Sequence, residues 1–164
     1  MDRLIAHAAT LVDTPHPVVL AGDYNVVPTD FDIYRPDSWR RDALLQPESR
    51  ERYERLIAQG WTDALRALRP DARFYTFWDY FRQHWQRDAG LRIDHLLTNA
   101  AVRVRDGGVD RWVRGEPHAS DHAPAWIAID APRATASTPR RSRPGDLPAS
   151  TAVPRTASRR AKPA

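Results

Sequence analysis

The sequence predicts an α/β layered domain. Short apolar runs such as Val18-Val19-Leu20-Ala21 and Ala125 to Ile129 are interspersed with stretches of helical periodicity. Acids, an amide and imidazoles stand at the ends of those runs rather than inside them, where loops can turn polar groups toward a ligand.

The elements follow in order. Leu4, Ile5, Ala8, Leu11 and Val12 share one helical face, and Thr14-Pro15-His16-Pro17 breaks that helix. Val18 to Ala21 reads as a buried strand that delivers Asp23 and Asn25 to a loop. Pro47 at a first-turn position, the acids after it, and Gly60 after Leu56-Ile57 predict a helix over 47 to 59. Thr62 is placed as the cap of a second, short helix that stops at Pro70. Ile93 to Thr98 reads as a strand with Asp94 near its start, and Val102 to Val104 and Ala125 to Ile129 as further strands. There is no internal repeat, and the ordered body is expected to cover 1 to 130.

Bulk properties narrow the function classes. The 164 residues include no cysteine, which excludes disulfides, a thiol nucleophile and thiolate zinc sites. No apolar stretch approaches the roughly 20 residues needed to span a bilayer, and residues 1 to 14 do not resemble a signal peptide, so a soluble, cytoplasmic protein with no membrane partner is expected. The net charge of +4 divides unevenly. Residues 131 to 164 hold seven Arg and one Lys against one Asp, whereas 1 to 130 hold 17 Arg against 20 acids. That Ala/Pro/Arg-rich tail, with six prolines and few large apolar side chains, is expected to be disordered and able to bind phosphates non-specifically.

Three separated segments carry the chemistry: Gly22-Asp23-Tyr24-Asn25, Arg92-Ile93-Asp94-His95 and Ser120-Asp121-His122-Ala123-Pro124. A phosphodiester is anionic and repels hydroxide, so a site that cleaves it must neutralise charge and place a water. A hard divalent ion on carboxylates does the first, and a carboxylate or imidazole base the second. An Asn amide can donate to a phosphoryl oxygen without competing for the proton. Asp23 and Asn25, two apart on backbone expected to be extended, are predicted to point to the same side. An Asp beside a His fixes its tautomer and favours the imidazolium. Seven aromatics crowd the twelve residues from Phe74 to Trp85. Phe77 and Trp78 are assigned to the ligand surface, and Phe74, Tyr80, Phe81 and Trp85 to packing. Arg82 and Arg92 are candidate phosphate contacts, whereas His84, His95 and His118 are left as structural or exposed.

These segments make the chain resemble the exodeoxyribonuclease III family of DNA-repair nucleases, within the endonuclease/exonuclease/phosphatase superfamily. The resemblance rests on VVLAGDYNVVPTDFD from Val18, WRRDALLQPESR from Trp39, GWTDALR from Gly60, YTFWDYFRQHWQRDAGLRIDHLL from Tyr75 and SDHAPAW from Ser120. It implies an enzyme using Mg2+ or Mn2+ that cuts duplex DNA 5′ to abasic sites and degrades it from 3′ ends, monomeric when complete. It implies that Asp23 orients or deprotonates the attacking water, Asn25 binds the scissile phosphate or metal, and Asp94 pairs with the catalytic His122. It further implies a metal set drawn from Asp23, Asn25, Asp121 and His122. Phe77 with Leu91 and Ile93 resembles the apolar pocket for a base-free sugar, with Trp78 and Arg92 nearby on the DNA.

The family fold is a four-layer α/β sandwich, one sheet from each half, and this chain resembles the C-terminal half. Family members have an earlier half that carries a metal-binding Glu, an Asn and a phosphate-contacting Tyr. Glu48, Glu51, Glu54 and Glu116 sit in no matching context. A fragment with a weakened metal site is therefore expected. The alternative is a non-catalytic DNA-binding remnant or accessory chain that needs a complementary half.

Overall fold

The computed structural model describes residues 1–130; the tail assigned to 131–164 lies outside the described residues. Helix α1 (Asp2–Ala9) turns Ile5 and Ala8 inward and carries Asp2 in its first turn, where a carboxylate suits the helix dipole. It ends earlier than its apolar face suggested, because the Thr10 hydroxyl donates to the His7 carbonyl at 2.7 Å and the chain turns. Leu11 and Val12 still pack against the same cluster from the turn. Strand β1 (Val19–Asp23) follows.

Helix α2 (Pro47–Ile57) begins on its proline and stops two residues short of the predicted end; Gly60 takes the left-handed φ of +110° that lets the chain leave. Strand β2 (Thr62–Asp63) leads directly into helix α3 (Ala64–Leu68). The cap of α3 is Asp63 rather than Thr62: its carboxylate accepts from the Arg66 amide at 3.2 Å. Strand β3 (Asp94–Thr98), strand β4 (Val104–Val109), the single turn α4 (Arg111–Arg114) and strand β5 (Ala125–Ile129) complete the described residues. β4 starts where the sequence suggested a strand would end, at Val104.

The strands form two small sheets instead of one. β1, β3 and β2 pair antiparallel in the order β1-β3-β2, and β4 pairs antiparallel with β5. Side-chain alternation along β3 sorts its residues onto two faces. His95 and Leu97 face the helical layer, where Leu97 joins Ile5, Ala8, Tyr53, Leu56 and Trp61 in a buried cluster. Leu96 faces the other way, into a cluster with Ala64, Leu65 and the partly buried Val104, Val109, Ala125 and Ile127 of the second sheet. A third cluster of Val27, Ile33, Leu45, Leu91 and Ile93 lies beneath the loops that follow β1. No helix among the described residues is long and apolar enough to cross a membrane.

One buried polar network ties these parts together. Arg92, 1% exposed, donates through Nε to Asp32 at 2.6 Å and through Nη1 to Asp63 at 2.5 Å. Asp63 also accepts from the Tyr53 hydroxyl at 3.0 Å, and Asp32 from Thr29 and Arg66. Burial opposes charge on Asp63, but His95 and the Arg92 guanidinium beside it hold its carboxyl well below the usual carboxylate range. Arg92 is thus fully engaged inside the fold, and its expected phosphate contact is corrected: no surface of it is left for DNA.

Candidate active site

Antiparallel register places the two key carboxylates together. Gly22 pairs with His95 and Asp23 with Asp94, so Asp23 and Asp94 lie opposite each other on one face at the end of the β1–β3 ladder. The segment before β5 brings His122 onto that face. Its Nδ1 stands 2.8 Å from Asp94 Oδ2, and its Nε2 stands 3.9 Å from Asp23 Oδ2. The first distance is a hydrogen bond and the second is not, so the proton on Nε2 remains available to a ligand. The Asp94 hydrogen bond, with the charges of Asp94, Asp23 and Asp121, raises His122 above its ordinary pKa against the opposing effect of partial burial. The site favours an imidazolium.

Two residues that sequence reasoning did not single out fix this geometry. The Thr76 hydroxyl accepts from the backbone amides of Ile93 and Asp94, each at 3.1 Å, and its carbonyl accepts from the Ala123 amide at 2.8 Å. Thr76 therefore holds the chain at Asp94 and the chain beside His122 at once. Its only signal in the sequence is a small hydroxyl residue inside an aromatic run. Ser120 accepts from the His122 amide at 3.1 Å and sets the turn at the imidazole.

Asn25 departs from the expected backbone conformation. Its backbone is not extended: φ is +51°, a left-handed conformation that Asn tolerates better than most residues. The Asp23 carboxylate turns back to accept from the Asn25 amide at 2.8 Å, forming a tight local turn. Asn25 is exposed, and its carboxamide makes no hydrogen bond among the described residues.

The aromatic assignments divide. Phe77 is half-buried, bridges through its backbone to Leu91 and His122, and sets its ring edge-on to the imidazole at 5.0 Å. Leu91 and Ile93 are buried beneath it in the core, so they support Phe77 rather than line an open pocket. Trp78 is wholly buried: its indole N–H donates to Asp88 at 3.1 Å, and its backbone amide donates to the Asp121 carbonyl at 2.9 Å. Its expected place on the DNA surface is corrected to a core position that holds the Asp121 backbone. Tyr80 and Phe81 reverse in the other direction, with Phe81 74% exposed. An apolar run cannot reveal which ring the turn at Arg82 and Gln83, both with left-handed φ, throws outward.

No group of three or more His, Asp or Glu side chains is arranged to hold a metal ion among the described residues. Asp94 occupies His122 Nδ1 and leaves Nε2 as the ring nitrogen open to a ligand, although a hard ion prefers oxygen to it. Asp23 and Asp121 flank the imidazole closely enough to act on its charge. A magnesium-type ion held by one or two carboxylates, water and a substrate phosphate is compatible with that pair.

A family model described as the endonuclease/exonuclease/phosphatase family matches residues 1–122. The chain is 36% identical over 123 residues to the exodeoxyribonuclease III of Haemophilus influenzae, covering 70% of this chain and 46% of that protein. It is 35% identical over 119 residues to the DNA repair nuclease APEX1 of Danio rerio, covering 72% and 38% respectively. Among solved structures, an AP endonuclease from Archaeoglobus fulgidus aligns with a TM-score of 0.74 at 30% identity, over 79% of this chain and 52% of its own. A 3′-5′ exonuclease from Neisseria meningitidis aligns equally well, at 35% identity over 78% and 51%. The chain thus spans about half the length of these solved relatives and less than half of the two curated ones. By the family match across its described body, this chain belongs to the endonuclease/exonuclease/phosphatase family.

Proposed function

We propose that the chain contributes the histidine-bearing face of a DNA-repair phosphodiesterase that hydrolyses duplex DNA 5′ to abasic sites and from 3′ ends. The observation that carries this reading is the Asp94–His122–Asp23 arrangement, an imidazolium braced on one side and open on the other. The names of the relatives support the substrate class: DNA repair nuclease, exodeoxyribonuclease and AP endonuclease. A related Neisseria 3′ phosphatase, 32% identical with a TM-score of 0.73, is described as bound to a product DNA hairpin.

The residues divide the work by their chemistry. The scissile phosphate lies against His122 Nε2, which donates to a phosphoryl oxygen and offsets the charge that develops there. The Asn25 carboxamide donates a second hydrogen bond to the same group. Asp23, 3.9 Å from the imidazole, orients the attacking water and accepts its proton as the water oxygen bonds to phosphorus and the ester oxygen departs. Asp94 holds the His122 ring in place and keeps it charged. A magnesium or manganese ion held by Asp23 and Asp121 would neutralise the phosphate further. Phe77, beside the imidazole, favours a sugar without a base.

A second reading, a non-catalytic DNA-binding chain, is supported by the finding that no group of three His, Asp or Glu side chains is arranged to hold a metal ion among the described residues. The two separate in one assay. The 164-residue chain is joined to the part of the Haemophilus influenzae exodeoxyribonuclease III that it does not span and incubated with an abasic-site duplex. Incision that requires a divalent ion supports the enzyme. Binding without incision supports the second reading.

A further inference from the structure

A cleft of about 520 Å³, lined by none of Asp23, Asp94 or His122, lies between the Tyr34–Trp39 segment and the turn at Phe81 and Arg82, and its size is within the range typical of small-molecule sites. Its walls are unusual for so small a body. Tyr34 and Trp39, both half-buried, flank the buried imidazole of His84, with ring centroids at 5.6 and 6.2 Å from it. Phe81, largely exposed, and Arg82 form the outer lip, and Asp79 stands beside them. None of these residues takes part in the chemistry proposed for the Asp23–His122 face, and Arg82 is the candidate phosphate contact that the sequence offered.

Three further observations point to a ligand. The Nδ1 of His84 is buried without a hydrogen-bond partner among the described residues, a state that calls for an explanation in a folded protein. Arg82 and Gln83 hold left-handed φ values of +53° and +54°, a conformation that non-glycine residues adopt at a cost and that clusters at functional sites. Arg82 makes no ion pair among the described residues.

The cleft is also mechanically tied to the catalytic face. Its lip is anchored by the Tyr80 hydroxyl, which donates to the Ala119 carbonyl at 2.9 Å, one residue before Ser120-Asp121-His122. Tyr34 and Trp39 pack on the same apolar cluster that supports Phe77, whose ring touches His122.

Aromatic rings lining one cleft, one of them largely exposed, with a guanidinium at the lip match a flat heterocycle on an anionic chain. We propose that the cleft takes one unpaired nucleobase of a DNA strand whose backbone lies against the Asp23–His122 face. A base still paired in a duplex has its polar edge engaged and its faces covered, and does not fit. The inference rests on the DNA reading proposed above and adds to it a preference for strands with an unpaired nucleotide.

The test uses the 164-residue protein and an oligonucleotide duplex with a single unpaired 3′-terminal 2-aminopurine. A fully paired duplex with the same base and free 2-aminopurine nucleoside monophosphate are the comparisons. The unpaired probe should lose fluorescence on binding and bind more tightly than the paired duplex. Phe81→Ala, at an exposed position, should weaken the unpaired probe roughly five-fold to one-hundred-fold, and the paired duplex less than about two-fold. Tyr34→Leu, with folding verified by thermal melting, should act in the same direction. Equal binding of paired and unpaired duplexes by the unsubstituted protein, or equal losses in Phe81→Ala, would overturn the cleft while leaving the DNA reading intact. Free nucleotide binding as tightly as the oligonucleotide would replace a strand-borne base with a nucleotide site. Absence of binding to every DNA would remove both readings.

Discussion

Asp23 and Asp94 face each other across the β1–β3 ladder, the last pair of its register, and His122 is set against both. Two carboxylates this close would repel each other; a protonated imidazole between them removes that repulsion and is itself favoured by it. The pairing makes the protonation state of His122 a property of the strand register.

That coupling is open to titration. The His122 imidazole should show an NMR midpoint above its ordinary 6.5, and Asp94→Asn should bring it down. A group whose pKa is raised on folding contributes stability that is fully present below its unfolded value and is lost as pH rises through the folded value. Stability should therefore fall slightly as pH rises above about 6.5 in the unsubstituted protein and less in Asp94→Asn. A His122 midpoint that Asp94→Asn leaves unchanged would contradict the pairing.

Thr76→Val should loosen the site by orphaning two backbone amides. Leaving buried groups unpaired costs about 1–3 kcal/mol, and faster amide exchange at Ile93 and Asp94 should accompany the loss. Thr76→Ser, which keeps the hydroxyl, should restore protection at those two amides. Equal exchange in the valine and serine variants would show that the hydroxyl does not hold the strand.

Arg92 anchors two carboxylates inside the fold, so Arg92→Met should cost on the order of 3–5 kcal/mol in chemical denaturation, the usual penalty for stranding buried charge. The pH dependence has a definite sign. Asp32 and Asp63 are held below the ordinary carboxylate range, so their contribution is present above about pH 4 and is lost as pH falls through their lower folded values. In Arg92→Met the acid unfolding midpoint should move upward. An unchanged midpoint would place the source of acid stability elsewhere.

Phe77 and Trp78 should separate by what their removal damages. Trp78→Ala should destabilise the fold by about 3–5 kcal/mol, as for other large core side chains. Phe77→Ala should leave the protein folded and reduce discrimination between abasic and undamaged duplex in the joined enzyme. Comparable melting temperatures for the two variants would contradict the division.

Much of this was legible in the sequence because it is local. The polar segments after β1, at β3 and before β5 carry their chemistry in adjacent residues, and proline and glycine mark the ends of α2. Burial was not legible at single positions. Arg92 and Arg82 look alike in the chain, yet Arg92 meets Asp32 and Asp63 from distant segments and is sealed in, while Arg82 is turned outward by its own backbone. Trp78 and Phe81 exchanged their expected roles for the same reason, since a run of aromatics has no period that sorts core from surface. Thr76 escaped notice because its importance lies entirely in what it binds.

The most direct test of the proposed chemistry is single-turnover incision of an abasic-site duplex, in magnesium, by the chain joined to the part of the Haemophilus influenzae exodeoxyribonuclease III that it does not span. Asp23→Asn and His122→Asn should each slow incision by about two orders of magnitude or more, roughly 3 kcal/mol of transition-state stabilisation, while duplex binding persists. Chelator should abolish incision in all forms. Near-normal rates in either variant, or full turnover in chelator, would contradict the account.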